Sequence, residues 1–423
     1  VKSTAPASYD FGMKPNVIAL GLVSTAAFIG ALGLVSPARA AGGAVVDVLL
    51  SVGKPESGAT CQPDSEGICD LVKVRLDLRT DAATNVSTIV GHAAMGAPGS
   101  GVAEPAVSPN GKRVAWLERG GKGVQLWAKA FTEDRGYLVV KSNKGKDGGT
   151  AMRPEWPEWL DDDTLLFSSR TGTSDGKEQK TIFSVELADL TNPGDPVPRA
   201  GAGVTGWTGV QDPAVVRVGE QFQMVAFGPV PGGSSEAYQL GLANVDATGR
   251  PTSTPTLVEA GKNAEGKAIQ GCHHPAWNAA GDRIMCMVHR PSETVGGMAT
   301  KLLYAYQRDS AGKWALGGRA FEPLTPEAAK LAVASQLSAA AGCQVVTYKY
   351  AQYCAGSDDI VTTLYCAKEG KASGRGAEIG ASRVVLVRSN PTRYLDVTGM
   401  VETAQGLAPG ALSSFTGTCR AVD

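Results

Sequence analysis

One stretch limits what this chain can fold into more than any other: Pro105–Trp116, PAVSPNGKRVAW. A short apolar strand runs into a polar turn at Asn110-Gly111, and a second apolar strand leads back. An Asn-Gly pair suits the positive-φ positions of a tight hairpin turn, so the local chemistry specifies a β-hairpin. The unit recurs. Pro157 opens PEWLDDDTLLF, Pro213 opens PAVVRVGEQFQMVAF and Pro275 opens PAWNAAGDRIMCMV, at spacings of 52, 56 and 62 residues. Self-similarity at such a period belongs to propellers, solenoids and arrays.

Further strands follow each hairpin. In the second unit Gly123–Ala130 and Tyr137–Lys141 complete a set of four. Thr181–Leu187, Ala237–Val245 and Lys301–Gln307 extend the next three units. A sixth runs from Cys343 through Gln344–Tyr350, Ile360–Cys366, Val384–Arg388 and Tyr394–Val397. Ahead of Pro105 stand only three strands, Ala44–Val52, Leu71–Leu78 and Ser87–Val90. The tail, Leu412–Asp423, is the natural donor of the missing innermost strand. A lone sheet of this size cannot bury both faces, whereas sheets arranged radially bury one another and leave only short edges. The expected fold is all-β: a six-bladed β-propeller of four-stranded antiparallel blades, closed by the C-terminal strand. Trp116, Trp127, Trp156, Trp159 and Trp277 are expected to fill the wedges between sheets. Thr325–Ala341 breaks the pattern: an N-cap threonine, Pro326 at the first helical position and Glu327 in the first turn predict one inserted helix near 325–341.

PAVSPNGKRVAW and HPAWNAAGDRIMCM resemble the PD40-type repeat of TolB-like six-bladed β-propellers, whose consensus is close to P-x-W-S-P-D-G-x-x-I-A-F. The resemblance covers about residues 44–423. The units at Pro105 and Pro275 match well, and those at Pro157 and Pro213 match in pattern only. It implies the propeller fold and says nearly nothing about activity, because one fold hosts many functions. TolB carries an extra α/β domain before its propeller, and no room for one is expected between Ala41 and the first blade.

The N-terminus reads as a targeting segment. Val1–Gly12 is nondescript and is taken as an over-extended start. Met13 and Lys14 then open a positively charged region ahead of the uncharged apolar run Val17–Val35, and Ala38-Arg39-Ala40 has the small-x-small cleavage pattern. Residues 1–40 are expected to be extension and signal peptide, cleaved after Ala40, and 41–423 a single β-propeller domain that is periplasmic or secreted. The competing reading is an uncleaved anchor, since 19 apolar residues can just span a bilayer.

Export makes the eight cysteines candidates for disulfides. Cys61–Cys69 would close a polar loop. Cys272 and Cys286 flank the turn Ala279–Gly281 almost symmetrically and should face each other across adjacent strands. Cys343 stands in the sixth unit where Cys272 stands in the fifth, which pairs it with Cys366. Cys354 and Cys419 remain, and joining them would lock the ring seam.

Candidate chemistry is sparse. Cys272-His273-His274 with Cys286 and His289 is the densest set of soft-metal or haem ligands, but alternate residues of a strand face opposite sides. His273 or His274 is expected to line the central channel. Gly201-Ala-Gly203-Val-Thr-Gly206 fits G-x-G-x-x-G by letter but lacks the strand before it and helix after it, so it reads as an inter-blade loop. Asp161-Asp162-Asp163 and Asp358-Asp359 suit turns better than calcium. Asn85-Val-Ser87 is a glycosylation triplet, and no HExxH occurs. No residue is assigned a catalytic role. No cofactor is expected, the alternative being a metal ion in the channel. The formal net charge of −1 gives no reason to expect nucleic acid. The expected partner is an envelope or extracellular protein, with membrane contact only through an uncleaved N-terminal segment. The leading function is a non-catalytic binding or scaffold module. The alternatives are a propeller hydrolase or lyase with a site at the channel mouth, and a surface-layer component held by the N-terminal segment.

Overall fold

Leu165, Leu166 and Phe167 are consecutive and all fully buried, which requires a strand covered on both faces. That pattern holds around the molecule. The computed structural model describes residues 45–53, 69–91, 101–120, 123–142, 152–172, 178–201, 207, 210–228, 239–258, 261–262, 269, 272–288, 302–320, 345–368, 377–389 and 392–422. Ala40–Asp423 form one compact unit. Val1–Arg39, with the expected signal segment, and the helix expected near 325–341 lie outside the described residues.

The strands follow one another blade by blade. β1 (Val45–Gly53), β2 (Asp70–Asp77) and β3 (Ala82–Val90) belong to blade I. Blade II is β4 (Gly101–Val107), β5 (Arg113–Gly120), β6 (Gly123–Ala130) and β7 (Tyr137–Lys141). Blade III is β8 (Pro154–Trp159), β9 (Thr164–Gly172), β10 (Glu178–Glu186) and β11 (Val197–Gly201). Blade IV is β12 (Gln211–Val218), β13 (Gln221–Gly228), β14 (Gln239–Val245) and β15 (Thr256–Val258). Blade V is β16 (Cys272–Trp277), β17 (Arg283–Val288), β18 (Leu302–Arg308) and β19 (Trp314–Arg319). Blade VI is β20 (Val345–Tyr353), β21 (Ile360–Lys368), β22 (Ala377–Ser389) and β23 (Thr392–Asp396). A helix, α1 (Val397–Ala404), follows, and β24 (Ser413–Val422) ends the described chain. β24 pairs antiparallel with β1, giving blade I the order β24-β1-β2-β3 and closing the ring. The fold is a six-bladed propeller of four-stranded antiparallel sheets.

Each seam between blades has its own apolar core. Leu49, Leu71, Val102 and Trp116 fill I/II. Leu117, Trp159 and Phe167 fill II/III, while Leu166 and Met224 meet in III/IV. Phe227, Trp277 and Ile284 fill IV/V. Met285, Met287 and Leu364 fill V/VI. Val48, Val74, Val384 and Leu386 close VI/I. Along β17 the period of two sends Ile284, Cys286 and Val288 to one seam and Met285 and Met287 to the other.

Polar contacts set the seams in register. Trp159 donates its Nε1–H to the Ala106 carbonyl and Trp277 to the Ala214 carbonyl, both at 3.1 Å. Both indoles stand two residues after the repeat proline, so that tryptophan spans a seam and satisfies its one donor, worth about 1 kcal/mol each. Trp116 and Trp127 stack 6.5 Å apart at the I/II seam. Trp156 departs from the sequence expectation and lies at the ring axis, for a backbone reason given below.

The VI/I seam carries additional ties. Cys354 and Cys419 form a disulfide with Cα atoms 4.6 Å apart, and Ala355 bridges Arg420 in parallel. A Cβ on Gly417 would stand 3.1 Å from the Leu49 carbonyl and 3.0 Å from Val384, so a larger residue here would push β24 and its neighbours apart by a few tenths of an ångström. Helix α1, for which the sequence analysis assigns no element beyond Val397, packs Val397 and Val401 into this seam. Asp396 caps it by accepting from the Gly399 N–H at 3.0 Å. Arg383 sits beneath, bonded to both Asp396 and Glu402. No helix among the described residues is long and apolar enough to cross a membrane.

Candidate functional site

The inner strand of every blade carries a β-bulge at the same place. In five blades the first bulged residue has a positive φ: Glu104 (51°), Trp156 (53°), Asp212 (55°), His274 (49°) and Tyr350 (52°). Phe415 holds the corresponding position on β24. Non-glycine residues rarely adopt this conformation, at a cost of about 1 kcal/mol or more each. It turns the side chain out of the seam and toward the axis, which is why Trp156 is not between sheets.

These side chains fill the axis. Trp156 on blade III lies 3.7 Å from the His274 ring on blade V and 5.3 Å from the Tyr350 ring on blade VI, measured between centroids. His274 and Tyr350 are 5.3 Å apart, and Tyr350 meets Phe415 of blade I at 4.8 Å. Blades III and VI stand opposite one another, so their rings touch only because no open passage lies between them. A cavity of about 30 Å³ remains, walled by Trp156, Glu158, Asp212, His274, Tyr350 and Gln352, with room for about one water molecule.

The strained backbone is satisfied from blade to blade. Glu104 N–H donates to Thr416 Oγ1 of blade I at 3.0 Å, and Trp156 N–H to Glu104 Oε2 at 2.8 Å. Asp212 N–H donates to Ser168 Oγ at 2.6 Å, and the Asp212 carboxyl accepts from the His274 N–H. An acidic side chain at this position therefore holds the next blade's bulge.

Charge is dense around the plug and mostly paired. Glu104, 2% exposed, is bonded to Arg119. Burial raises its pKa, opposed by Arg119. Glu155 pairs with Lys180 and with Arg170 at 3.4 Å; burial pushes its carboxyl up, but these cations outweigh that and hold it below the ordinary value. Asp212, 3% exposed, has Oδ2 3.3 Å from His274 Nδ1 and 3.8 Å from His273 Nδ1. Burial pushes Asp212 up to about 7. Glu158 is also pushed up to about 7 by burial, with the Val215 N–H at 3.3 Å opposing. Lys349 Nζ lies 4.9 Å from the Tyr350 ring centroid.

Other residues singled out in the sequence fall as follows. Cys272 and Cys286 form a disulfide, Cα atoms 5.4 Å apart, inside the IV/V core. Their sulfurs are thereby consumed. His273 packs on Phe227 at 3.7 Å beside Gln211, His274 enters the axial cluster, and His289 lies outside the described residues. Cys69 is disulfide-bonded. Cys61, Cys343, Gly203, Gly206 and the side chain of Cys366 lie outside the described residues. Asp161 caps its turn, Asp162 accepts from the Asn110 N–H and Asp163 pairs with Arg113, so this run ties blade III to blade II. Asp358 accepts from Asn278 across the V/VI seam. Among the described residues no three histidine, cysteine or carboxylate side chains are grouped to hold a metal. Gly172-Thr-Ser174-Asp-Gly176 matches G-x-S-x-G by letter and escaped the sequence reading. It joins β9 to its antiparallel partner β10, not a strand to a helix, so it is no nucleophile elbow.

The sequence reading picked out His274 by residue type, expected Trp156 between sheets rather than at the axis, and missed Glu104, Asp212, Tyr350 and Phe415. A signal was present: Glu104, Trp156, Asp212 and His274 each immediately precede a repeat proline.

No family model matches the chain, and no curated protein is similar to it. Among solved structures it is similar to TolB from Acinetobacter baumannii, with a TM-score of 0.49, 10% identity, and coverage of 90% of this chain and 67% of that one. It is similar to an α-L-arabinofuranosidase from Lactobacillus brevis at a TM-score of 0.43 and 10% identity, covering 70% of this chain and 93% of the other. A levansucrase variant from B. megaterium gives 0.39 and 11%, covering 69% and 83%. Scores below 0.5 at identities of 10–11% carry nothing about what this chain does.

Proposed function

We propose that this chain is an exported TolB-like propeller that binds a protein or cell-envelope ligand, without catalysis, at the mouth of an axial funnel. The observation that carries this reading is the plug: Trp156, His274, Tyr350 and Phe415 meet across the axis and block it. The nearby carboxylates Glu104 and Glu155 are held by Arg119, Lys180 and Arg170 and are not poised for proton transfer. A floor of aromatic rings ringed by paired charges suits a partner that inserts a polar or aromatic segment. The signal-like segment before Ala41 and the Cys272–Cys286 and Cys354–Cys419 disulfides support an oxidising compartment outside the cytoplasm. The test is photo-crosslinking in intact cells, with a benzophenone amino acid at Gln211 beside the axis or at Leu138 on the outer face of blade II. A discrete crosslinked partner from Gln211 and none from Leu138 is expected. The reverse pattern refutes the reading.

The second reading, a hydrolase or lyase, is favoured by one observation. Asp212 and Glu158 wall the same small cavity beside His274, and both are pushed up to about 7, where general acids and bases work. Asp212→Asn and Glu158→Gln would each abolish such an activity without unfolding the chain. A substrate screen in which no activity depends on these residues rejects this reading.

A further inference from the structure

A second site lies away from the axis, in the seam between blades IV and V. There the ends of β14 and β15 and the turn joining β18 to β19 leave an open groove of about 460 Å³. It has three kinds of wall. Trp314 forms one, its ring held edge-on against Trp277 at 5.4 Å and 68°, while Trp277 is anchored to the Ala214 carbonyl. The indole of Trp314 is thus fixed before any ligand arrives.

Arg308 and Lys313 form the second wall. The guanidinium of Arg308 lies over the turn, where a Cβ on Gly312 would stand 3.5 Å from Nη2. Among the described residues neither cation has a carboxylate partner. The neighbouring acid, Asp309, accepts the N–H groups of Ala311 and Lys313 within its own turn at 2.9 and 2.8 Å.

The third wall is polar and neutral. Gln223 donates to Asn244 Oδ1 at 3.4 Å, which sets both amides along this wall. Ser253 and Thr254 add exposed hydroxyls at the rim.

We infer that this groove binds an acidic oligosaccharide. One sugar ring lies against Trp314, its hydroxyls meet the Ser253 and Thr254 hydroxyls at the rim, and the sugar's carboxylate sits between Arg308 and Lys313. A flat apolar face beside dense amide and hydroxyl groups matches a pyranose, whose faces are apolar and whose edge is polar. Two unpaired cations select an anionic sugar over a neutral one. This inference does not depend on the function proposed for the axis.

The test is calorimetric titration of the purified chain, disulfides intact, with trigalacturonate, maltotriose, tetraglutamate and inorganic phosphate. Saturable binding of trigalacturonate is expected, with maltotriose weaker by about tenfold or more, because a charge-assisted bidentate contact is lost. Arg308→Gln with Lys313→Gln should abolish that preference, and these partly exposed positions tolerate substitution without unfolding. Trp314→Phe should weaken both sugars while leaving their ratio unchanged. Three results each overturn the inference: no trigalacturonate binding, binding indifferent to the double substitution, or tetraglutamate or phosphate binding as tightly as the sugar.

Discussion

Replacing Glu158 by glutamine should make the protein more stable at alkaline pH and leave it unchanged in acid. Glu158 follows Pro157 on the inner strand of blade III, and its Oε1 accepts from the Val215 N–H at 3.3 Å. No cation among the described residues pairs with it, and burial raises its pKa from 4.5 to about 7. A carboxyl whose folded pKa is raised adds stability below its unfolded pKa. That contribution is lost as pH climbs through the folded value. The gap of about 2.5 units, at about 1.4 kcal/mol per unit, is worth about 3 kcal/mol. This is an upper value, because the residue keeps some contact with solvent. Glutamine keeps the acceptor and never ionises. Urea unfolding at about pH 4 should therefore give equal free energies for the two proteins, and at about pH 8 an advantage of up to about 3 kcal/mol for E158Q. A difference that stays constant with pH, or a variant that is weaker at pH 8, would refute the reasoning.

Asp212→Asn should show the same sign over the window from 3.8 to about 7, provided the His274 N–H still finds its acceptor; denaturation midpoints against pH read this directly. Removing Cys354 and Cys419 together opens a loop of 65 residues and should cost about 4 kcal/mol, against about 3 for the 14-residue loop of Cys272 and Cys286. Hydrogen exchange should then rise first in Ser413–Val422, and exchange confined elsewhere would count against the seam argument. Arg383→Met leaves Asp396 and Glu402 facing each other without a cation and should cost about 3–5 kcal/mol by chemical denaturation. Trp159→Phe removes only the donor to the Ala106 carbonyl and some volume, so a loss of about 1–2 kcal/mol is expected.

The fold was legible because burial on both faces leaves a mark. Runs such as Leu165–Phe167 and Ile284–Val288 have no solvent-facing alternation, and the proline hairpins repeat at a propeller's period. The outermost strands were harder to read: β11, β15 and β19 are short, half-exposed and carry no repeat signature. Helix α1 was missed because Thr398 and Gly399 are poor helix formers. Burial of Val397 and Val401 against the VI/I seam, with the Asp396 cap, overrides that preference. At the axis the sequence marked His274 and passed over its equivalents. A glutamate, a tryptophan, an aspartate and a histidine before four prolines share no chemistry. They share only a backbone conformation, and the residue before a proline is ordinarily expected to be extended. The Cys354–Cys419 pair was reached by elimination, whereas the structure gives its cause in the short parallel bridge between Ala355 and Arg420.

The axial plug is tested most directly by electron density along the ring axis in crystals of the purified protein. The account predicts continuous side-chain density from Trp156, His274, Tyr350 and Phe415, with at most an isolated water beside Asp212. A through-going column of solvent between blades III and VI would contradict it.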